Sequence, residues 1–303
     1  MIVLMFPGQG AQTVGMGKEL ADAFPSARMA FEEADDALGY PISKVVFEGP
    51  AEQLTKTDVC QPALVATSVA AWRVATEHGL AGDLVLGHSL GEYSALVAAG
   101  AMPYADALQV VAERGAAMQA AADASPGAMA AILGSDDAAV EAMCAAAGDV
   151  WPANFNCPGQ VVVSGTADGV DRLVRTAAEN GVKAARLQVA GAFHSPLMVP
   201  AADRLEPALG RWEPLPPSIP FLSTTTCRQE PPGRMREVLL SQLTAPVRFG
   251  QAVEEALDLG ADVFVELGVG RVLSGLVKRV RRDARVLQVG TPGDLAGLAE
   301  VVG

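Results

Sequence analysis

The amino-acid sequence predicts an α/β protein with a mainly parallel sheet, on three observations. Short β-branched runs alternate with longer, alanine-rich amphipathic runs, the pattern of strands joined by crossover helices. One central segment breaks that rhythm and reads β-α-β-β-α-β. Half of the 303 residues are hydrophobic, enough for a sizeable core, which excludes a disordered or fibrous chain.

In chain order, strands are expected at 2–6, 84–86, 219–222, 263–266 and 286–289, all apolar runs too short for a helix. Helices are expected at 61–78, 89–99, 104–122, 233–243 and 251–259. The central segment places strands at 129–133, 150–155, 161–164 and 183–189 and helices at 136–147 and 168–180. That order matches a ferredoxin-like split βαβ unit. Pro126-Gly127 before it and Gly191 after it supply turn-forming joints. The expected organisation is a large α/β domain over 1–126 and 191–303, carrying a ferredoxin-like small subdomain inserted at 127–190. Junctions of this kind commonly hold small-molecule sites.

The 22 basic and 35 acidic residues give a formal charge of −13, which argues against a general nucleic-acid binder. Such binding rests on clustered Lys and Arg against phosphates. Cys60, Cys144, Cys157 and Cys227 form no CxxC pair, so neither a disulfide framework nor a metal site is expected, and no cofactor is implied. A reducing, cytoplasmic setting and a monomer fit this composition. The opening MIVLMF lacks a basic n-region, and the uncharged stretches fall short of ~18 apolar residues. No signal peptide and no membrane span are expected.

Gly87-His88-Ser89-Leu90-Gly91 fits GxSxG, with an apolar strand before it and a helix after it. Glycines two before and two after the serine permit the tight elbow that presents a nucleophile at a helix N-terminus, as in an α/β-hydrolase-like domain. The alternative is a plain serine N-cap with Glu92 as its capping-box partner. A nucleophilic serine needs a base, and the chain has only His78, His88 and His194. His78 precedes Gly79 at a helix end, the ordinary place for a cationic side chain. His88 adjoins the serine, and neighbouring side chains through a sharp turn diverge. His194, in GAFHSPLM just beyond the inserted unit, is left by elimination. The acids between Ser89 and His194 fall on helices or at helix starts, so a Ser–His dyad with the imidazole oriented by a backbone carbonyl or an amide fits better than a triad.

FPGQGAQ, residues 6–12, follows the first strand with Gln9 at its tip. It either brings a donor towards the N–H of Leu90 to form an oxyanion hole or serves as a structural turn. Arg114 interrupts the small-residue run 110–122. On position alone a helix-surface role beside Glu113 leads over a buried carboxylate clamp.

Together these stretches resemble the malonyl-CoA:acyl carrier protein transacylase family, which includes the acyltransferase domains of polyketide synthases. The markers FPGQGAQTVGMG, TDVCQPAL, GHSLGEYSALVAAG, VAERGAAMQ, NFNCPGQVVVSG, GAFHSPLM, QLTAPVRF and ELGVGRVLSGL run in the family's order over residues 1 to about 290. The resemblance implies that Ser89 carries the acyl group, that His194 is its general base, and that Gln9 and the N–H of Leu90 bound the oxyanion hole. It also implies that Arg114 pairs with the malonyl carboxylate, against the reading from position, and that Phe193 excludes an α-methyl branch. Asn156 and His88 are expected at the substrate site. The backbone carbonyl orienting His194 is expected at Arg248, in PVRF. The implied reaction moves malonyl from malonyl-CoA to the phosphopantetheine thiol of an acyl carrier protein, in fatty-acid or polyketide synthesis. Two other readings stand beside it: an acyl hydrolase built on the same elbow and a catalytically idle carrier-protein docking module.

Both expected partners are anionic, so docking on an acidic chain requires a local basic patch. Arg271, Lys278, Arg279, Arg281, Arg282 and Arg285 stand against one acid, Asp283, on an expected helix. This segment, with Lys183 and Arg186, is either that patch or a solvated cationic face.

Overall fold

The computed structural model describes residues 1–189 and 191–302. Ten strands alternate with helices: β1 Ile2–Phe6, β2 Leu84–Gly87, β3 Gly127–Leu133, β4 Val150–Cys157, β5 Gln160–Thr166, β6 Lys183–Arg186, β7 Leu222–Ser223, β8 Arg228–Gln229, β9 Val263–Leu267 and β10 Arg285–Val289.

Four of them form a parallel sheet in the order β10-β9-β1-β2. Parallel strands are covered by helices on both faces, and β1, β2 and β9 are accordingly almost wholly buried. Alternate residues serve opposite faces. Leu4, Phe6 and Val265 enter the larger core cluster, whereas Val3, Met5 and Phe264 enter a second one on the other side. The larger cluster is built around the helix Thr57–Glu77, which is apolar on nearly every side.

The central segment forms a separate antiparallel sheet, β4-β5-β3-β6, with helices Asp137–Ala147 and Ala167–Glu179. Its strand order and alternation are those of the expected ferredoxin-like unit. One face, with Ala130, Ile132, Val161 and Val163, packs on those two helices. The other face, with Met129, Ala131, Ala153 and Val162, joins the core of the large part. A short parallel pairing fixes this contact: Phe155 N–H donates to the Val247 carbonyl and Val247 N–H to the Ala153 carbonyl, both at 2.8 Å. Residues 190 and 303, which close the expected segments, lie outside the described residues.

Several boundaries differ from expectation for local reasons. The strand expected at 219–222 shrinks to Leu222–Ser223 plus a bridge from Phe221 to Val85: Val85 N–H donates to the Pro220 carbonyl, but Pro220 has no N–H with which to extend the ladder. The strand expected at 183–189 ends at Arg186. The basic segment is not one helix: Val272–Val280 is helical, Arg281 and Arg282 lie beyond its end, and Arg285 opens β10. The helix after the elbow begins at Gly91 rather than at the serine. Residues 13–56 hold four helices that the apolar pattern did not single out. Pro25–Leu38 among them starts with Pro at its first turn and stops at Gly39 (φ 73°), the common asymmetry of helix ends. No helix among the described residues is long and apolar enough to cross a membrane.

β1 and β2 end side by side, with Phe6 opposite Gly87, so the loop holding Gln9 and the turn holding Ser89 leave the same edge of the sheet. Gly91, the first residue of the following helix, rests directly on that edge: a Cβ there would lie 2.0 Å from the Phe6 carbonyl oxygen. Gly91→Ala should therefore lower stability by about 1–3 kcal/mol, because the obstructing atom is backbone and cannot swing away. An unchanged urea midpoint would refute this account of the packing.

Candidate active site

Ser89 sits between β2 and the helix Gly91–Ala98 with φ at 52°, an energetically costly conformation for a residue with a side chain. The elbow's strain thus falls on the serine, and the flanking glycines supply clearance instead. A Cβ at Gly87 would lie 2.0 Å from the Gly91 carbonyl carbon. The capping-box alternative fails: the helix has no side-chain cap, and Glu92 turns away to Ser223, Thr224 and Gln242. Ser89 is buried and lines a cavity of about 120 Å³.

His194 also has a positive φ, 57°. Its Nε2 lies 2.8 Å from Ser89 Oγ and its Nδ1 lies 2.8 Å from the Gln242 carbonyl oxygen. A carbonyl only accepts, so Nδ1 carries the proton and the Nε2 lone pair faces the serine hydroxyl. Burial, and then the Arg114 charge, push the imidazole from its ordinary 6.5 down to about 3. The ring is thereby held neutral, as a base must be.

The orienting carbonyl belongs to Gln242 and not to Arg248. The Arg248 carbonyl instead accepts from Ala252 N–H, and its guanidinium lies over the Phe155 ring at 5.0 Å. Gln242 is the C-cap of the helix Pro232–Ser241. Carbonyls at a helix C-terminus lack intrahelical partners, which leaves this one free for the imidazole. Of the other histidines, His78 ends its helix with Nδ1 2.8 Å from the Val74 carbonyl. His88 lines the cavity while its Nε2 engages Asn156 Oδ1 at 2.9 Å.

Arg114 is not on the surface; it is 1% exposed, on the helix Tyr104–Ala124. Nη1 donates to Gln61 Oε1 (2.7 Å), and Nη2 faces both Gln242 Oε1 (3.0 Å) and Ser89 Oγ (3.1 Å). Its partners are neutral, whereas the adjacent Glu113 pairs with Arg211 on the exterior. Burial lowers the guanidinium pKa from its ordinary value, and Nε has no hydrogen-bond partner among the described residues. The Tyr93 ring lies 5.7 Å away. An incompletely paired, buried cation reaching the serine can receive a carboxylate on a short acyl chain.

Gln9, Leu90 and Phe193 line the same cavity as Ser89, His194 and Arg114. Asn156 stands behind His88 and is not part of that lining; Asn154, two residues earlier on β4, is. Alternation along a strand sends the two asparagines to one face, but β4 shifts register between Pro152 and Asn154 and again between Phe155 and Cys157. Motif reading assigned no role to Gln61 or Gln242, although both lie in recognised stretches.

A serine elbow at the end of a parallel sheet, with an imidazole on its hydroxyl and a buried guanidinium beside it, is a site for acyl transfer through the serine. Residues 3–291 match the acyl transferase domain family. The chain is 44% identical over 297 residues to the malonyl CoA-acyl carrier protein transacylase of Bacillus subtilis strain 168, covering 96% of this chain and 94% of that one. A crystal structure of acyl-carrier-protein-S-malonyltransferase from Bartonella henselae superposes with a TM-score of 0.96 at 40% identity, over 100% of this chain and 99% of that one. A malonyl-transacylase solved in complex with a type II PKS acyl-carrier protein gives 0.95 at 40% identity, over 99% of each chain. The chain belongs to the malonyl CoA-acyl carrier protein transacylase family.

A histidine held near pH 3 gives the pH dependence a definite sign. Ser89 should keep its base well below pH 6.5, so its rate of modification by a serine-directed sulfonyl fluoride, followed by mass spectrometry, should fall only under about pH 5. A midpoint at or above the ordinary histidine value would contradict the geometry.

Proposed function

We propose that this chain transfers a malonyl group from malonyl-CoA to the phosphopantetheine thiol of an acyl carrier protein, through a malonyl ester of Ser89. The observation that carries the reading is the buried Arg114 guanidinium, within 3.1 Å of Ser89 Oγ and bonded only to neutral partners. A malonyl group extends a carboxylate two carbons beyond the carbonyl under attack, and a planar guanidinium can hold it by a forked pair of bonds.

Ser89 Oγ attacks the thioester carbonyl while its proton passes to His194 Nε2. The resulting oxyanion faces Gln9 and the N–H of Leu90. The C–S bond then breaks, and the imidazolium returns its proton to the departing CoA sulfur. The second half runs in reverse: the carrier thiol gives its proton to His194, attacks the ester, and the C–Oγ bond breaks with the proton returned to Ser89. The Gln242 carbonyl keeps the imidazole in the tautomer that both halves use. No resident cofactor enters, since the pantetheine arrives on the partner. Phe193 beside His194 narrows the cavity against a branched acyl chain.

A larger groove adjoins the cavity and shares Gln9, Leu187 and Val189 with it. Its other lining residues include Gln12, Lys56 and Gln119, which suit the amides and phosphate of a pantetheine arm. On the basic segment, Arg271 bonds Gln288, Arg279 bonds Gln160 and Arg285 pairs with Glu300. Arg186 pairs with Asp171, which leaves exposed Lys183, Lys278, Arg281 and Arg282 as the better candidates for the carrier protein.

Incubated with malonyl-CoA and no carrier, the protein should gain one malonyl group on the Ser89 peptide and release little free malonate; rapid hydrolysis would favour an esterase instead. Arg114→Ala should cut kcat/KM for malonyl-CoA by roughly two to three decades, the range for stranding one partner of a buried charge pair, and should erase the preference over acetyl-CoA. An unchanged preference would remove Arg114 from the clamp. Arg281→Glu with Arg282→Glu should raise the carrier protein's KM at low salt, and an unaltered KM would dismiss that surface.

A further inference from the structure

We propose that Glu92 is a positioning residue: by fixing which way the Gln242 side-chain amide points, it sets the Arg114 guanidinium for an acid-ended acyl group. This inference rests on the malonyl reading above and deepens it.

Glu92 lies one helical turn beyond Ser89 and is fully buried. One carboxyl oxygen accepts from Thr224 N–H (2.6 Å) and from the Ser223 hydroxyl (3.0 Å). The Thr224 hydroxyl lies 2.9 Å from the same oxygen and 3.0 Å from the Gly87 carbonyl, so its single proton serves one or the other. The second carboxyl oxygen accepts from Gln242 Nε2 at 2.6 Å. The coordination consists of donors, which a carboxylate satisfies and an amide cannot match in full.

Polarity then propagates outward. Gln242 Nε2 has two acceptors, Glu92 and the Ser89 carbonyl at 3.1 Å, which use both of its hydrogens. Its Oε1 is thereby turned to Arg114 Nη2, 3.0 Å away. Arg114 has only donors, so this orientation is the one that binds it; the reverse would set NH₂ against guanidinium. The nitrogen held by Gln242 is also the one 3.1 Å from Ser89 Oγ. Glu92 therefore reaches the acyl site through one amide and touches neither the serine hydroxyl nor the imidazole. Gln242 contributes to the dyad separately, through its main chain.

Glu92→Gln tests the relay with almost no change of volume. The new amide must turn its oxygen to Thr224 N–H, which sets its NH₂ against that of Gln242. Relief requires Gln242 to flip, presenting NH₂ to Arg114 and an oxygen to the Ser89 carbonyl. His194 keeps its main-chain acceptor through this change, so the defect should weigh on malonyl more than on acetyl transfer. Rates with malonyl-CoA and acetyl-CoA, read as acylation of Ser89 by mass spectrometry, should show the malonyl-to-acetyl ratio of kcat/KM falling at least about tenfold, chiefly through the malonyl KM. A smaller fall in a folded variant overturns the proposal, as does an equal loss on both substrates. If Glu92→Gln does not fold, Gln242→Met decides: it removes the amide through which Glu92 reaches Arg114 while leaving the main-chain carbonyl on His194, and the same fall is expected. A ratio retained there, or failure of both variants to fold, assigns the network to stability alone and likewise overturns the proposal. A native enzyme without any preference for malonyl would instead defeat the malonyl reading itself, so the two failures are distinguishable.

Discussion

A guanidinium withdrawn from water with only neutral groups to hold it is the constraint around which the site is arranged. Arg114 cannot shed its charge under ordinary conditions, so the surrounding chain must supply oxygen atoms that point at it. Gln61 does so from a helix and Gln242 from just beyond the end of another, and the serine hydroxyl supplies a third oxygen. The same positive charge, after burial, is a main reason that His194 resists protonation. Cation and base thus depend on each other: a neutral imidazole is favoured where a fixed positive charge already stands, and the serine lies between the two.

The scaffold explains how such distant residues meet. Adjacent parallel strands deliver the serine turn and the Gln9 loop to one edge, as expected where ligands gather at the carboxyl ends of a parallel sheet. Helices Thr57–Glu77 and Tyr104–Ala124 bring Gln61 and Arg114 in from one side. The end of Pro232–Ser241 brings Gln242 from another, with its carbonyl already lacking a helical partner. The antiparallel sheet closes the cavity with Met129 and Asn154.

Much of this was legible in the sequence, for reasons that differ by residue. Ser89 announced itself because a sharp turn needs glycine at fixed offsets, and His194 because only three histidines were available. The βαββαβ order was readable because its strands and helices alternate without ambiguity of period. Arg114 was not placed by position, since a helix sequence of small residues does not say which face is buried; the family resemblance corrected that. The orienting carbonyl was placed six residues too late, at Arg248, because every residue carries a carbonyl and only the end of a helix makes one available. Glu92 suggested a capping box from its spacing to Ser89, whereas its partners Ser223 and Thr224 lie more than 130 residues away in the chain. Pairings of that range leave no local pattern to read.

The short parallel pairing between Val247 and the Ala153–Phe155 stretch has a mechanical meaning. It ties β4 of the antiparallel sheet to the segment between the helices Pro232–Ser241 and Phe249–Asp258 of the large part, beside Asn154 on one flank of the cavity, while Leu187 and Val189, after the last small-sheet strand, line it as well. The strand bearing Asn154 is thereby fastened to the stretch that follows Gln242, so one wall of the cavity and the carbonyl that orients His194 share a single main-chain frame.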